Sequence, residues 1–566
     1  MEYRRFKYPK LLRLVSLALL LAVCSSSFPS VSLTRLRLVA PQPAVVPCFP
    51  LRGPCARLGD KGVVSSAAAE LAATPASQSQ TALEISPTAA EGLPPTTPTP
   101  RFAADLLVYQ PALKPEFAAD VGLVTNGTRY DIQVTLNPGS APTLAGTERV
   151  VYTNNETVPL DNLAFRLYPN LPEFGGSMDV WDVTVDGGSM EPVFGAGRSA
   201  LYVPLRPALE SGAAVVVTLQ FSATLPTDTE SGYAVFTNVG GVYAMAGFYP
   251  TIPVYDSQGW SVEVSPSYGD VTFTDASFYR VQLTAPAGLI AVTSGQIVGA
   301  VDNGDGTRMW TAVGGPIRDF YIAMSADYGV VSEQVDGTRI NCYYLPDQKE
   351  GARLALQYAS AALRLFNSKF GIYPYAELDV APTPTSAGGI EYPGVIVVSQ
   401  GLYVEKGRYF ELVVAHEVAH QWWYGLVGSD QLDEPWMDEA LTNYCMYVYF
   451  QNTASAADAQ LIRGEAFENA YRDLQEDHLD RAIGGPVAGF RDQSDYVAVV
   501  YGKGPLFFDA VRQRLGDDAF FAGLHTYLAR YRYGIAYPED LVVALEDASG
   551  QTIDDLYRTW VVGQSP

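Results

Sequence analysis

The stretch Glu411–Tyr444 reads ELVVAHEVAHQWWYGLVGSDQLDEPWMDEALTNY, and its spacing decides the reading of the chain. His416, Glu417 and His420 stand as H-E-x-x-H, and Glu439 follows 19 residues after the second histidine. The chain has only 4 histidines, and two of them fall here. On a helix, residues four apart share a face, so His416 and His420 point the same way and can chelate one cation. A catalytic zinc takes three protein ligands and keeps a fourth position for water, and two His with one Glu is such a set. His416, His420 and Glu439 are therefore the candidate ligands for one zinc ion per chain. Pro435 ahead of Trp436-Met437-Asp438-Glu439-Ala440-Leu441 reads as a helix start, since proline is tolerated in the first turn. Glu439 then points from a second helix toward the first. Asn443, one turn further on, is placed to hydrogen-bond a ligand histidine. Zinc brings the pKa of bound water to about 7. Glu417 beside the ligands can take that water's proton and return it to a leaving amine. Residue types and spacing thus point to a metallohydrolase, and among these to a peptidase.

Moving outward, 566 residues exceed what one core accommodates, so two or more domains are expected. A net charge of −24 argues against nucleic-acid partners and fits a soluble extracytoplasmic protein. Arg4, Arg5, Lys7, Lys10 and Arg13 precede an apolar run, Leu14 to Val23, that is short for a membrane span. Residues 1–24 accordingly read as a signal peptide. Leu21-Ala22-Val23-Cys24 resembles a bacterial lipoprotein box, which leaves two outcomes, cleavage and release or a lipid anchor at Cys24 with a membrane tether. Residues 25–118 are rich in Ala, Ser, Thr and Pro and read as a flexible linker. Cys48 and Cys55 could bridge within it, whereas Cys342 and Cys445 lie in apolar patterns and read as buried thiols.

Residues 119–330 alternate apolar and polar. Tyr130, Ile132, Val134 and Leu136 fall on one side of a strand, as do Leu163, Phe165 and Leu167, then Trp181, Val183 and Val185, then Val217, Leu219 and Phe221. Asp186-Gly187-Gly188 and Asp302-Asn303-Gly304-Asp305-Gly306 mark turns between them. This is an all-β domain of sandwich or saddle type. From 331 to 566 a small sheet gives way to helical periodicity, an α+β arrangement.

HEVAHQWW with Glu439 in WMDEAL resembles the gluzincin aminopeptidases, the aminopeptidase N and leukotriene-hydrolase family. Ser386-Ala-Gly-Gly-Ile-Glu-Tyr-Pro-Gly394 is similar to that family's Gly-x-Met-Glu-Asn strand, and Tyr501-Gly502-Lys503-Gly504 to its Tyr-x-Lys-Gly. The resemblance implies a multidomain chain, an all-β domain followed by a thermolysin-like zinc peptidase domain. It implies that Glu391 binds the substrate's free α-amino group and enforces removal of N-terminal residues from peptides. It also implies that Tyr501 donates its hydroxyl to the oxyanion. Gly388 and Gly389 are expected to let the substrate backbone approach the strand edge. Tyr496 stands either in the cleft or in ordinary packing, and His478 and His525 match no motif. The sequence departs from the family in two respects. No second amine-binding residue can be placed in Tyr243–Trp260, and the large helical C-terminal domain of many members is not present within these residues. A more open cleft, with a second subunit as a substitute lid, is the expectation that follows. An HExxH endopeptidase, which would not need Glu391, remains as an alternative, as does a non-catalytic peptide-binding or scaffold relative.

Overall fold

The computed structural model describes residues 105–264 and 266–564. The signal segment, Cys24, Cys48, Cys55 and the linker up to residue 104 lie outside the described residues. The linker was expected to run to residue 118, but the chain is folded before that point. Leu107–Ala112 and Pro115–Val124 are 3-10 helices. Leu106, Tyr109 and Leu113 are buried, and Tyr109 packs its ring 4.9 Å from that of Phe278. The Lys114 amide donates to the Pro374 carbonyl at 2.8 Å. Proline sets the local backbone here, yet the apolar side chains between the prolines find a core to enter, which composition averaged over the linker conceals.

Most of the β domain hangs on one eight-stranded sheet in the order Gln296–Asp302, Thr307–Ile317, Ser277–Pro286, Arg129–Asn137, Thr143–Thr153, Ala214–Thr224, Ser177–Val185, Gly188–Ser189. Three- and four-stranded sheets pack with it, so the expected all-β domain is present. Tyr130, Ile132, Val134 and Leu136 are buried as their alternation requires, and so are Val217, Leu219 and Phe221. The third set is different. Trp181 is 41% exposed, and Met178, Val180 and Val183 face inward instead. The pairing register with Ala214–Thr224 shifts between Trp181 and Thr184, and Asp182 takes φ +50°. One extra residue at a bulge flips the alternation, so a strict period of two fails across it.

One residue in this sheet breaks the polar rule. Glu148 pairs with Ile132 on one side and Leu219 on the other and is wholly buried, and neither carboxyl oxygen has a hydrogen-bond partner among the described residues. Burial pushes its carboxyl well above the usual range.

The second half is built on a five-stranded mixed sheet in the order Gly329–Val335, Thr338–Tyr344, Glu377–Thr383, Val395–Ser399, Gly389–Ile390. The short Gly389–Ile390 strand runs antiparallel to its neighbour and forms the sheet's edge. Helices Lys349–Phe370 and Arg408–His420 cover the sheet. Trp422 anchors the end of the second helix. It packs on Phe366, Phe370 and Tyr373 while its Nε1 donates to the Gly371 carbonyl at 2.9 Å. The helices that follow, Leu441–Thr453, Gly504–Leu515, Asp517–Tyr531 and Pro538–Ser549, complete the α+β half. Among the described residues no helix is long and apolar enough to cross a membrane.

Because Glu148 holds a proton in the folded state at pH values where the unfolded chain has released it, its contribution is complete below about pH 4.5 and is lost as pH rises. Glu148→Gln removes that loss. Denaturant unfolding at a series of pH values should show the variant gaining on the parent protein above pH 5, by at most about 1.4 kcal/mol per pH unit.

Candidate metal centre

The helix Arg408–His420 brings His416 and His420 onto one face, and their Nε2 atoms lie 3.1 Å apart. Glu439 enters from a π-helical turn, Trp436–Ala440, directly ahead of the helix Leu441–Thr453. Its Oε2 is 3.3 Å from each imidazole Nε2. The three atoms make a nearly equilateral triangle. A tetrahedral zinc with bonds of about 2.0 to 2.1 Å needs ligand atoms about 3.3 Å apart, so this triangle has the edge length the ion requires. Glu439 Oε2 is buried and turned toward both imidazole Nε2 atoms, as a ligand sharing one cation with them would be.

The supports of the triangle are specific. His420 Nδ1 lies 3.1 Å from the Trp423 carbonyl and 3.2 Å from Thr442 Oγ1, so a proton on Nδ1 leaves Nε2 free to ligate. Asn443 hydrogen-bonds the His416 ring, and its Nδ2 donates to the Tyr501 carbonyl at 2.7 Å. Tyr501 stands on a second π-helical segment, Val497–Lys503, and its hydroxyl donates to Glu439 Oε1. Tyr496 is buried between Tyr501 and the β-domain loop at Tyr268, with ring centroids 5.8 and 5.6 Å away.

Glu417 and Glu391 are buried near His420, one ligand-capable atom of each within 4.8 Å of the others. Gln421, immediately after the motif, ties the Glu391 loop to the helix: its Oε1 accepts from the Gly394 amide at 2.9 Å and its Nε2 donates to the Glu391 and Tyr392 carbonyls at 3.3 Å. The two glycines before Glu391 also answer a constraint inside the fold. A Cβ on Gly389 would sit 2.5 Å from Glu417 Oε1, and one on Gly388 would sit 2.7 Å from the Tyr409 hydroxyl. It is the close approach of the motif helix to the edge strand that demands glycine.

A residue absent from the sequence reading joins this group. Asp270, on a loop of the β domain, lies with Glu391 and Asp438 so that one carboxyl oxygen of each falls within 4.8 Å of the others. Gln431 Nε2 donates to Asp438 Oδ2 at 2.6 Å. No local pattern marks Asp270; only the folding of one domain over the other brings it in. His478 and His525 are exposed and lie outside the cluster.

Electrostatics follow from the crowding. Burial, then the Glu391 charge, pushes Glu417 well up, and burial with the Glu391, Glu439 and Asp438 charges does the same to Asp270. Burial also lifts Glu391 and, with the Glu439 charge, Asp438. Burial pulls His416 down. At His420 burial is outweighed by the Glu391 and Glu439 carboxylates, which raise it well above its usual value. At Glu439 burial is outweighed by the His420 charge and by hydrogen bonds from both imidazoles, which hold it low. The surplus of negative charge is what a divalent cation relieves, so the donor set fits zinc.

Residues 354–560 match the peptidase family M1 domain. That stretch, which holds all three candidate ligands, is similar to the family's domain. The match agrees with the gluzincin resemblance carried by HEVAHQWW and its companion motifs. Among curated proteins, aminopeptidase N of Lactococcus lactis subsp. lactis is 26% identical over 279 residues, 45% of this chain and 32% of that protein. Aminopeptidase 2 of Candida albicans is 23% identical over 68% of this chain and 42% of its own length. The chain thus spans about a quarter to two fifths of the length of the curated relatives it matches. An M1 zinc metallopeptidase from Deinococcus radiodurans superposes with a TM-score of 0.60 at 18% identity, covering 78% of this chain and 95% of that one. A two-domain M1 zinc metallopeptidase with L-arginine bound superposes equally well, at a TM-score of 0.60 and 19% identity over the same 78% of this chain. A β domain followed by an α+β domain is therefore a fold already seen.

Metal analysis after dialysis against zinc should find about one ion per chain. Replacing Glu439, His416 or His420 with alanine should bring uptake close to zero, whereas Gly389→Ala, which presses on Glu417 without touching a ligand, should keep it.

Proposed function

We propose that the chain is a zinc-dependent aminopeptidase that removes N-terminal residues from peptides by hydrolysis. The observation that carries this reading is the convergence of Glu391, Asp270 and Asp438 beside the ligand triangle. A buried carboxylate group at one end of a cleft pairs with a substrate ammonium and fixes where the chain must start; an endopeptidase has no use for it. Asp270 fills the part for which the Tyr243–Trp260 region offers no candidate.

Zinc held by His416, His420 and Glu439 would supply Lewis acidity and bring water into a reactive range near neutral pH. Glu417 takes the proton from the attacking water and hands it to the departing amine. Its raised affinity for protons suits both halves of that task. Tyr501 donates its O–H to the developing oxyanion, which requires the hydroxyl to turn away from Glu439 Oε1. The free margin of the edge strand Gly389–Ile390 can receive substrate backbone as an added strand. The N-terminal sequence supports export, with residence either free outside the cytoplasm or at the envelope through Cys24.

Peptides with free and N-acetylated termini discriminate between the readings. Cleavage should be confined to free termini, with single residues released, and equal rates on both would favour the endopeptidase. Asp270→Asn should raise KM more than it lowers kcat, by about tenfold, as loss of one ammonium partner predicts. Glu417→Gln should retain zinc and lose turnover; turnover at the parent rate would remove Glu417 from the mechanism.

A further inference from the structure

Tyr424, four residues after His420, has φ +131°, a backbone conformation that a bulky side chain keeps only when its surroundings enforce it. Rotation about its N–Cα bond sets the plane of the preceding peptide, whose carbonyl, that of Trp423, faces His420 Nδ1. Two consecutive β-domain residues hold Tyr424 at both ends. Arg318 Nε donates to its carbonyl at 2.7 Å, and its hydroxyl donates to Asp319 Oδ2 at 2.8 Å. Arg318 is itself fixed: it is 2% exposed, and its two remaining nitrogens donate to the Thr274 and Gly534 carbonyls. Its own carbonyl accepts from Thr274 Oγ1 at 2.7 Å and the Tyr279 hydroxyl at 3.2 Å. Gly428 makes room for the guanidinium, since a Cβ there would lie 2.2 Å from Arg318 Cζ.

We propose that Arg318 and Asp319 are positioning residues for the metal ligand His420, acting through Tyr424 to aim the Trp423 carbonyl at His420 Nδ1. The β domain thereby sets the tautomer and ring orientation of a ligand in the other domain. A guanidinium with three carbonyl acceptors, and a tyrosine held at its hydroxyl, its carbonyl and its amide, which donates to the Val427 carbonyl at 3.0 Å, restrict how that peptide can turn. If the clamp loosens, the Nδ1 proton turns to Thr442 Oγ1, 3.2 Å away, and Nε2 swings off the triangle.

The inference rests on the zinc reading of the triangle, and the test separates the two. Zinc affinity is measured by chelator competition, and ligand geometry by the visible spectrum of the cobalt-substituted protein, in the parent chain, Tyr424→Phe, Arg318→Lys and Tyr328→Phe. Tyr328, whose hydroxyl donates to the Pro382 carbonyl at 2.9 Å, is a hydrogen bond across the same domain junction that does not touch Tyr424. Tyr424→Phe and Arg318→Lys should weaken zinc binding by about 10- to 100-fold, the usual cost of losing an outer partner of a ligand, and shift the cobalt bands. Tyr328→Phe should do neither. Unchanged affinity and spectrum in Tyr424→Phe and Arg318→Lys would overturn the clamp while leaving the zinc site standing, and so would an equal loss in Tyr328→Phe. A parent chain that binds no zinc would overturn the metal reading and the clamp with it.

Discussion

Like charges held together out of water are the constraint on which the rest of this structure depends. Asp270, Glu391, Glu417, Asp438 and Glu439 press around two imidazoles in a space with little access to solvent. Protons held by the raised carboxyls relieve part of that repulsion, and a cation among His416, His420 and Glu439 would relieve more. The scaffold reads as a means of holding that repulsion in place. Trp422 locks the motif helix against the long helix of the same domain, Gln421 ties the Glu391 loop down, and Gly388 and Gly389 let helix and strand come closer than side chains would permit.

The parts of the site that the sequence makes legible are those encoded by short spacing. His416, Glu417 and His420 need only a helix to be brought together. Glu439 needs one more helix start, which Pro435 signals. Asn443 follows from Glu439 by one turn. Glu391 and Tyr501 carry no such local logic and were legible only through resemblance to a family. Asp270, Gln421, Gln431 and Thr442 were not legible, because each is defined by a partner that only the fold supplies. The π-helical turns under Glu439 and Tyr501 were hidden for a related reason: they insert a residue into a helical pattern without changing its composition.

The same distinction runs through the β domain. Alternation places Tyr130 through Leu136 and Val217 through Phe221 on the core side, because a period of two is a purely local rule. It fails at Trp181, where a bulge inverts the faces, and at the end of the linker, where Tyr109 and Leu113 find a core that composition does not announce. Glu148 passes unnoticed in a strand pattern, since an acid between Thr147 and Arg149 looks like an outward position until the sheet closes over it.

The junction at Arg318 has a consequence for how this architecture can be divided. The M1 match covers residues 354–560 and contains all three candidate zinc ligands, which suggests a self-sufficient module. Yet Asp270, Arg318 and Asp319 all come from the β domain, and each reaches into the centre or its supports. A fragment cut at the domain boundary would keep its candidate ligands and lose both the acid proposed to meet the substrate and the clamp proposed to aim the imidazole. On that reading the two halves work as one piece, and shuffling either half onto a foreign partner would yield a metal binder without an address.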